Sequence, residues 1–120
     1  MDALSLAQAC LAAIAKDAGQ AGVTYCVEPP AGAETPLITT VEKGAAMVEA
    51  IGSPAVRTMI DICAAAQNEA APIPDVIERW LPSRHIAHVH LNDPNRRTPA
   101  RGTCGSEIRA ELEQIGRAHV

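Results

Sequence analysis

The sequence contains no Phe, one Trp and one Tyr, so no aromatic cluster can anchor a core. Any interior must be assembled from Ala, Val, Ile and Leu, which pack as small pieces. It also lacks a Cys-x-x-Cys pair. Cys10, Cys26, Cys63 and Cys104 stand far apart, which excludes a thiolate zinc knuckle and a disulfide framework and, with no signal peptide, points to the reducing cytoplasm. No apolar run is long enough to span a bilayer. The opening Met1–Ala15 stretch is short, has no basic start and carries Asp2 and Gln8 before Lys16 and Asp17, so a helix is expected there and no membrane contact. Basic residues are scattered except at Arg96, Arg97 and Arg101, and the net charge is −4, which argues against a broad nucleic-acid groove and leaves room for a small anionic or polyhydroxyl ligand.

What is present is an alternation of segments. At 120 residues the chain is one folding unit at most. Leu4, Ala7, Leu11, Ile14 and Ala15 recur at three- and four-residue steps and predict a helix over Ala3–Ala18, stopped by Gly19 and Gly22. Val23–Glu28 is rich in β-formers and ends at Pro29-Pro30, which cannot continue a ladder. Thr39 or Thr40 can cap a helix through Val41, Ala45, Val48 and Ile51, closed by Gly52-Ser53-Pro54. A second strand is expected over Ala55–Asp61, a helix over Cys63–Ala70, and a short amphipathic helix over Asp75–Leu81 with Pro74 at its start. A third, buried strand is expected over His85–Leu91, with Ile86, His88 and His90 on one face. A last helix is expected over Ser106–Ile115. Strands that alternate with helices make a parallel sheet, because parallel strands need crossovers. The fold class is α/β.

Each expected strand ends in a group that binds metals: Glu28, Asp61 and His90. One acid at a strand end is ordinarily a cap or a solvated turn residue. Three such endings in succession predict one site, and two carboxylates with one imidazole suit Mn²⁺, Mg²⁺ or Co²⁺ better than a closed thiolate site. Glu34 and Arg96 fall on the loops above that site. His88, one pleat deeper than His90, reads as an interior hydrogen-bonding histidine rather than a ligand. Cys63 has no basic neighbour and reads as a buried thiol. Gly102 and Gly105 are too sparse for a phosphate cradle.

On Glu28-Pro29, Asp61 and His88-Val89-His90, the sequence resembles the sugar isomerase/epimerase superfamily with the xylose-isomerase-like TIM barrel, and within it the ketose 3-epimerases of the tagatose and psicose type. The interval between Glu28 and Asp61 resembles the family's own. The resemblance implies a partial (β/α)8 barrel, residues 1–114, running from about the fifth strand to the helix after the seventh of a barrel that is ordinarily about 250 residues long. It implies a divalent metal, Mn²⁺ foremost, on Glu28, Asp61 and His90, with a final Glu from a later strand that has no counterpart here. It further implies Glu28 as one of two carboxylates exchanging a proton through an enediolate, and Glu34, Arg96 and His88 as contacts to a sugar substrate. The sequence departs from such epimerases at Ala64, where they often place a substrate-binding His, and in the turn Thr98–Gly102.

The closing Ile115–Val120 matches one reading frame of a common sequencing adapter, so 115–120 is expected to be a non-native tail and His119 no ligand. Taken together, the expected function is a fragment of a metal-dependent sugar isomerase or epimerase acting on a ketose or sugar phosphate, inactive alone. The alternatives are a dehydratase or AP-endonuclease-like barrel of the same superfamily, and a non-enzymatic α/β chain that self-associates. An open sheet with Ala-rich covering helices leaves apolar surface in water, so a homo-oligomer is expected. Size-exclusion chromatography should show self-association; a monodisperse monomer that melts cooperatively would overturn this expectation.

Overall fold

A computed structural model of the chain describes residues 1–93 and Glu113. Arg96 and the turn Thr98–Gly102 lie outside the described residues, as does the tail 115–120. Glu113 is helical, and the rest of the helix expected over Ser106–Ile115 also lies outside them. The element order is α1 (Ala3–Gln20), β1 (Tyr25–Val27), α2 (Val41–Ile51), β2 (Val56–Asp61), α3 (Ile62–Asn68), α4 (Ile73–Trp80) and β3 (Ile86–His90). The strands form one parallel sheet in the order β1-β2-β3. The expected α/β alternation is therefore present, with helices as the crossovers.

Local chemistry explains most boundaries. Asp2 caps α1 by accepting from the Ser5 amide, and that hydrogen bond holds its carboxyl below the usual carboxylate range. Thr40 accepts from the Lys43 amide at the start of α2, and Gly52 ends the helix at φ 69°, a left-handed conformation that glycine adopts without Cβ strain. β1 is shorter than the expected Val23–Glu28. Gly22 turns at φ 66° and the Val23 amide donates back to Ala18 O, so Val23 belongs to the helix exit and pairing begins at Tyr25. α3 starts one residue earlier than expected because Asp61, the last residue of β2, is also its cap.

The helices cover one face of the sheet. Val41, Ile60, Ile62, Ala65, Ile73, Val76, Ile77 and Ile86 form the larger cluster, and Ala15, Val48 and Val56 a smaller one under α1. The expectation that Ile86 shares a face with His88 and His90 is not met. Thr58 pairs with Ile86 and Met59 with His88, so β3 carries one extra residue, Ala87, at that level. The irregularity sends Ile86 into the helix-side core and turns both histidines to the opposite face. β3 is also not the buried strand expected: among the described residues it is the sheet edge, and Ala87, His88 and His90 are exposed. The face bearing His88 and His90 is uncovered among the described residues.

Side-chain bonds join the layers. The buried Thr58 hydroxyl donates to Val27 O across β1 and β2 at 2.9 Å. Glu69, just past α3, accepts the Val41 amide at 2.7 Å, satisfying an otherwise orphaned donor at the start of α2. Gly44 of α2 lies directly over Thr58, and a Cβ there would collide with the hydroxyl. Gly44→Ala should therefore destabilise the fold by about 1–3 kcal/mol through overpacking. Urea unfolding measures this, and an unchanged midpoint would refute the close approach.

Candidate metal centre

All three strand-end residues reach the same side of the sheet. Asp61 and His90 are register partners, whereas Glu28 follows Val27, the partner of Thr58, and so begins level with Met59. That start is two residues, about 6.6 Å, below Asp61, and the extra methylene of Glu over Asp helps close the gap. Pro29 and Pro30 stop the strand at this point, so Glu28 stands at its exit with its side chain 40 % exposed.

The donors converge. His90 Nδ1 lies 3.6 Å from Asp61 Oδ2 and 3.9 Å from Glu28 Oε1, and one ligand atom from each residue lies within 4.8 Å of the others. Two donors held about 2.1 Å from a common cation stand ~3 Å apart at right angles and ~4.2 Å apart when opposed. The separations from His90 fall inside that range, and two anionic oxygens with one imidazole are the donor chemistry of a divalent cation such as Mn²⁺ or Mg²⁺. The set fits a metal.

Burial differs among the three in a useful way. Asp61 is 5 % exposed. Its Oδ1 accepts the Ala64 amide at 3.0 Å and its Oδ2 accepts from Asn92 Nδ2 at 3.1 Å, so the carboxylate is fixed on two sides. His90 is exposed beside these carboxylates, and the His88 ring meets it edge-on at 5.0 Å between centroids and 89° between planes. His88 is exposed rather than interior because no further element covers this face among the described residues.

Glu34 lies in the turn after β1, where its amide donates to Ala31 O, and it is exposed. That loop is tied to the end of α3, since Asn68 Nδ2 donates to Pro30 O and Asn68 Oδ1 accepts the Gly32 amide. Cys63 is fully buried, as expected of a packing thiol. Burial pushes the Cys26 thiol up, away from reactivity. Asn92, which sequence reasoning left without a role, joins the site through Asp61 and the Cys63 amide. The signal available was its place in the polar turn immediately beyond His90.

The profile described as "Xylose isomerase-like TIM barrel" matches residues 2–119. The chain belongs to the xylose isomerase-like TIM barrel family. Its fold is similar to that of two D-psicose 3-epimerase structures. One, from Clostridium cellulolyticum H10 with D-tagatose, shares 29% identity at a TM-score of 0.81, covering 94% of this chain and 38% of that one. The other, in the presence of D-fructose, shares 27% identity at a TM-score of 0.70, covering 77% of this chain and 31% of that one. A family 2 AP endonuclease from Brucella melitensis shares the fold at 19% identity, with a TM-score of 0.67, covering 88% of this chain and 42% of that one. No curated protein matches. This member of the family thus spans about a third of the epimerases it resembles. No helix among its described residues is long and apolar enough to cross a membrane.

Asp61 is both a candidate strand-end ligand and the cap of α3, and the two contributions separate in metal-free buffer. With chelator present, Asp61→Ala should lower stability by about 0.5–2 kcal/mol, the usual worth of an N-cap. Thermal melting tests this; a midpoint equal to wild type would show that the cap carries no stability.

Proposed function

We propose that this chain supplies the metal-holding portion of a divalent-metal-dependent sugar epimerase or isomerase acting on a ketose by proton transfer next to a carbonyl. One observation carries the reading: Glu28, Asp61 and His90, from three adjacent parallel strands, converge at the strands' carboxyl ends, which is where barrel enzymes build their active sites. The D-psicose 3-epimerase neighbours, one with D-fructose and one with D-tagatose, support ketoses as the substrate class.

In this reading Asp61 and His90 hold the cation, Mn²⁺ foremost, and Glu28 both contributes an oxygen and moves the proton. A bound divalent cation supplies fixed positive charge against the negative charge that develops on substrate oxygens. Glu28 is suited to proton transfer because it is the more exposed of the two carboxylates and so accessible to a substrate, while Asp61 is pinned by its two hydrogen bonds. In the same reading His88, whose ring meets that of His90, and Glu34, exposed in the turn after β1, contact sugar hydroxyls, and Arg96 is assigned the same role from its place in the sequence. The acidic balance of the chain disfavours a nucleic-acid substrate, whose phosphates attract basic grooves. Exposed Leu4, Leu6 and Ile14 on α1 support self-association.

Mn²⁺ should raise the melting midpoint of the wild-type chain, by the equivalent of about 2.7 kcal/mol at one hundred times the dissociation constant. Glu28→Gln and His90→Ala should each reduce that shift. Where ketose 3-epimerisation is measurable, Glu28→Gln should lower it by ~10²- to 10⁴-fold, the usual worth of a general acid or base. A wild-type midpoint indifferent to Mn²⁺, Mg²⁺ and Co²⁺ alike would refute the metal centre.

A further inference from the structure

Asp61 faces a conflict that its neighbours must resolve. As the cap of α3 it sits beside two backbone donors with no intrahelical partner, the amides of Cys63 and Ala64. A short carboxylate at that position can turn both oxygens toward them. A ligand needs one oxygen turned the other way, toward His90 and Glu28.

The side chain of Asn92 takes up one of those donors. The Cys63 amide donates to Asn92 Oδ1 at 2.9 Å, leaving Asp61 Oδ1 with the Ala64 amide alone at 3.0 Å. This also settles the orientation of the amide group. A backbone N–H can only donate, so the atom facing it is the oxygen, and Nδ2 is then directed at Asp61 Oδ2, an acceptor, at 3.1 Å. Asp61 Oδ2 is the oxygen that lies 3.6 Å from His90 Nδ1. Asn92 follows His90 by two residues in the same chain segment, so one half-buried side chain ties the exit of β3, which carries one ligand, to the carboxylate of another. An Asp at this position would accept from Cys63 but set a second carboxylate oxygen against Asp61. A Leu would make neither bond.

We propose that Asn92 is a positioning residue of the metal centre: it takes over half of the α3 capping load and thereby keeps Asp61 Oδ2 aimed at His90 and Glu28. The proposal rests on the metal-centre reading above. Hydrogen-bond partners of metal ligands ordinarily change affinity by about 10- to 100-fold when removed, and Asn92 should fall in that range.

The test is Mn²⁺ titration by calorimetry on the full 120-residue chain, comparing wild type, Asn92→Leu and Ser83→Ala. Ser83 bonds to Trp80 O and the His85 ring beside the opposite end of β3, so its loss perturbs the same strand without touching the site. Far-UV circular dichroism in chelator confirms that each variant is folded, and Asn92→Ser replaces Asn92→Leu if the latter is not. The expected result is Mn²⁺ affinity about 10- to 100-fold weaker for the Asn92 variant and unchanged for Ser83→Ala. Equal affinity for wild type and the Asn92 variant overturns the positioning role while leaving the metal centre intact. An equal loss in Ser83→Ala overturns it too, by assigning the effect to general destabilisation. Failure of the wild type itself to bind Mn²⁺ overturns the metal centre and this inference with it.

Discussion

The parallel pairing of Asp61 with His90 is the constraint on which the candidate site depends. Parallel strands run their carboxyl ends to the same edge, so residues far apart in sequence arrive side by side once the register is set. That register is held by the helix-side core, where Ile60, Ile62, Ile77 and Ile86 pack together with almost no exposure. A slip by one residue would exchange the two faces, burying the histidines and exposing the isoleucines. The apolar face therefore aligns the polar one.

The extra residue at Ala87 shows how tightly the two faces are coupled. Strict alternation along β3 would put Ile86 on the ligand side. The irregularity opposite Thr58 and Met59 lets Ile86 join the core while His88 and His90 stay together on the open face. At the same level Gly44 allows α2 to close on Thr58, whose hydroxyl holds β1 against β2. Packing at the centre of β2 thus helps set the height at which Glu28 leaves β1.

The open face has the opposite character. Among the described residues β1 and β3 are both edges, and Val23 and Tyr25 beside the β1 edge are exposed along with Leu4 and Leu6 of α1. Exposed strand edges and apolar helix faces are costly in water and are ordinarily covered by further strands or by another chain. Each epimerase neighbour is more than twice as long as the part of it that this chain covers.

Much of this was legible in the residues. Proline pairs, glycine stops and Ser/Thr caps act locally, within a few residues, so the element order and a threonine cap on α2 followed from sequence, while the Asp2 cap of α1 emerged only with the structure. The repeated ending of strands in Glu28, Asp61 and His90 announced a site because a parallel sheet gathers such ends. What sequence left open depended on neighbours distant along the chain. The start of β1 at Tyr25 followed from a turn bonded back to Ala18, and the exposure of β3 from its place at the sheet edge. The face of Ile86 followed from a pairing irregularity, and the link from Asn92 to Asp61 and the Cys63 amide from the meeting of two loops. Composition and periodicity by themselves determined which segments become helices and strands and which residues carry chemistry. Only the tertiary structure decided which of those residues meet, because register and side-chain hydrogen bonds are set by packing between segments rather than by any segment alone.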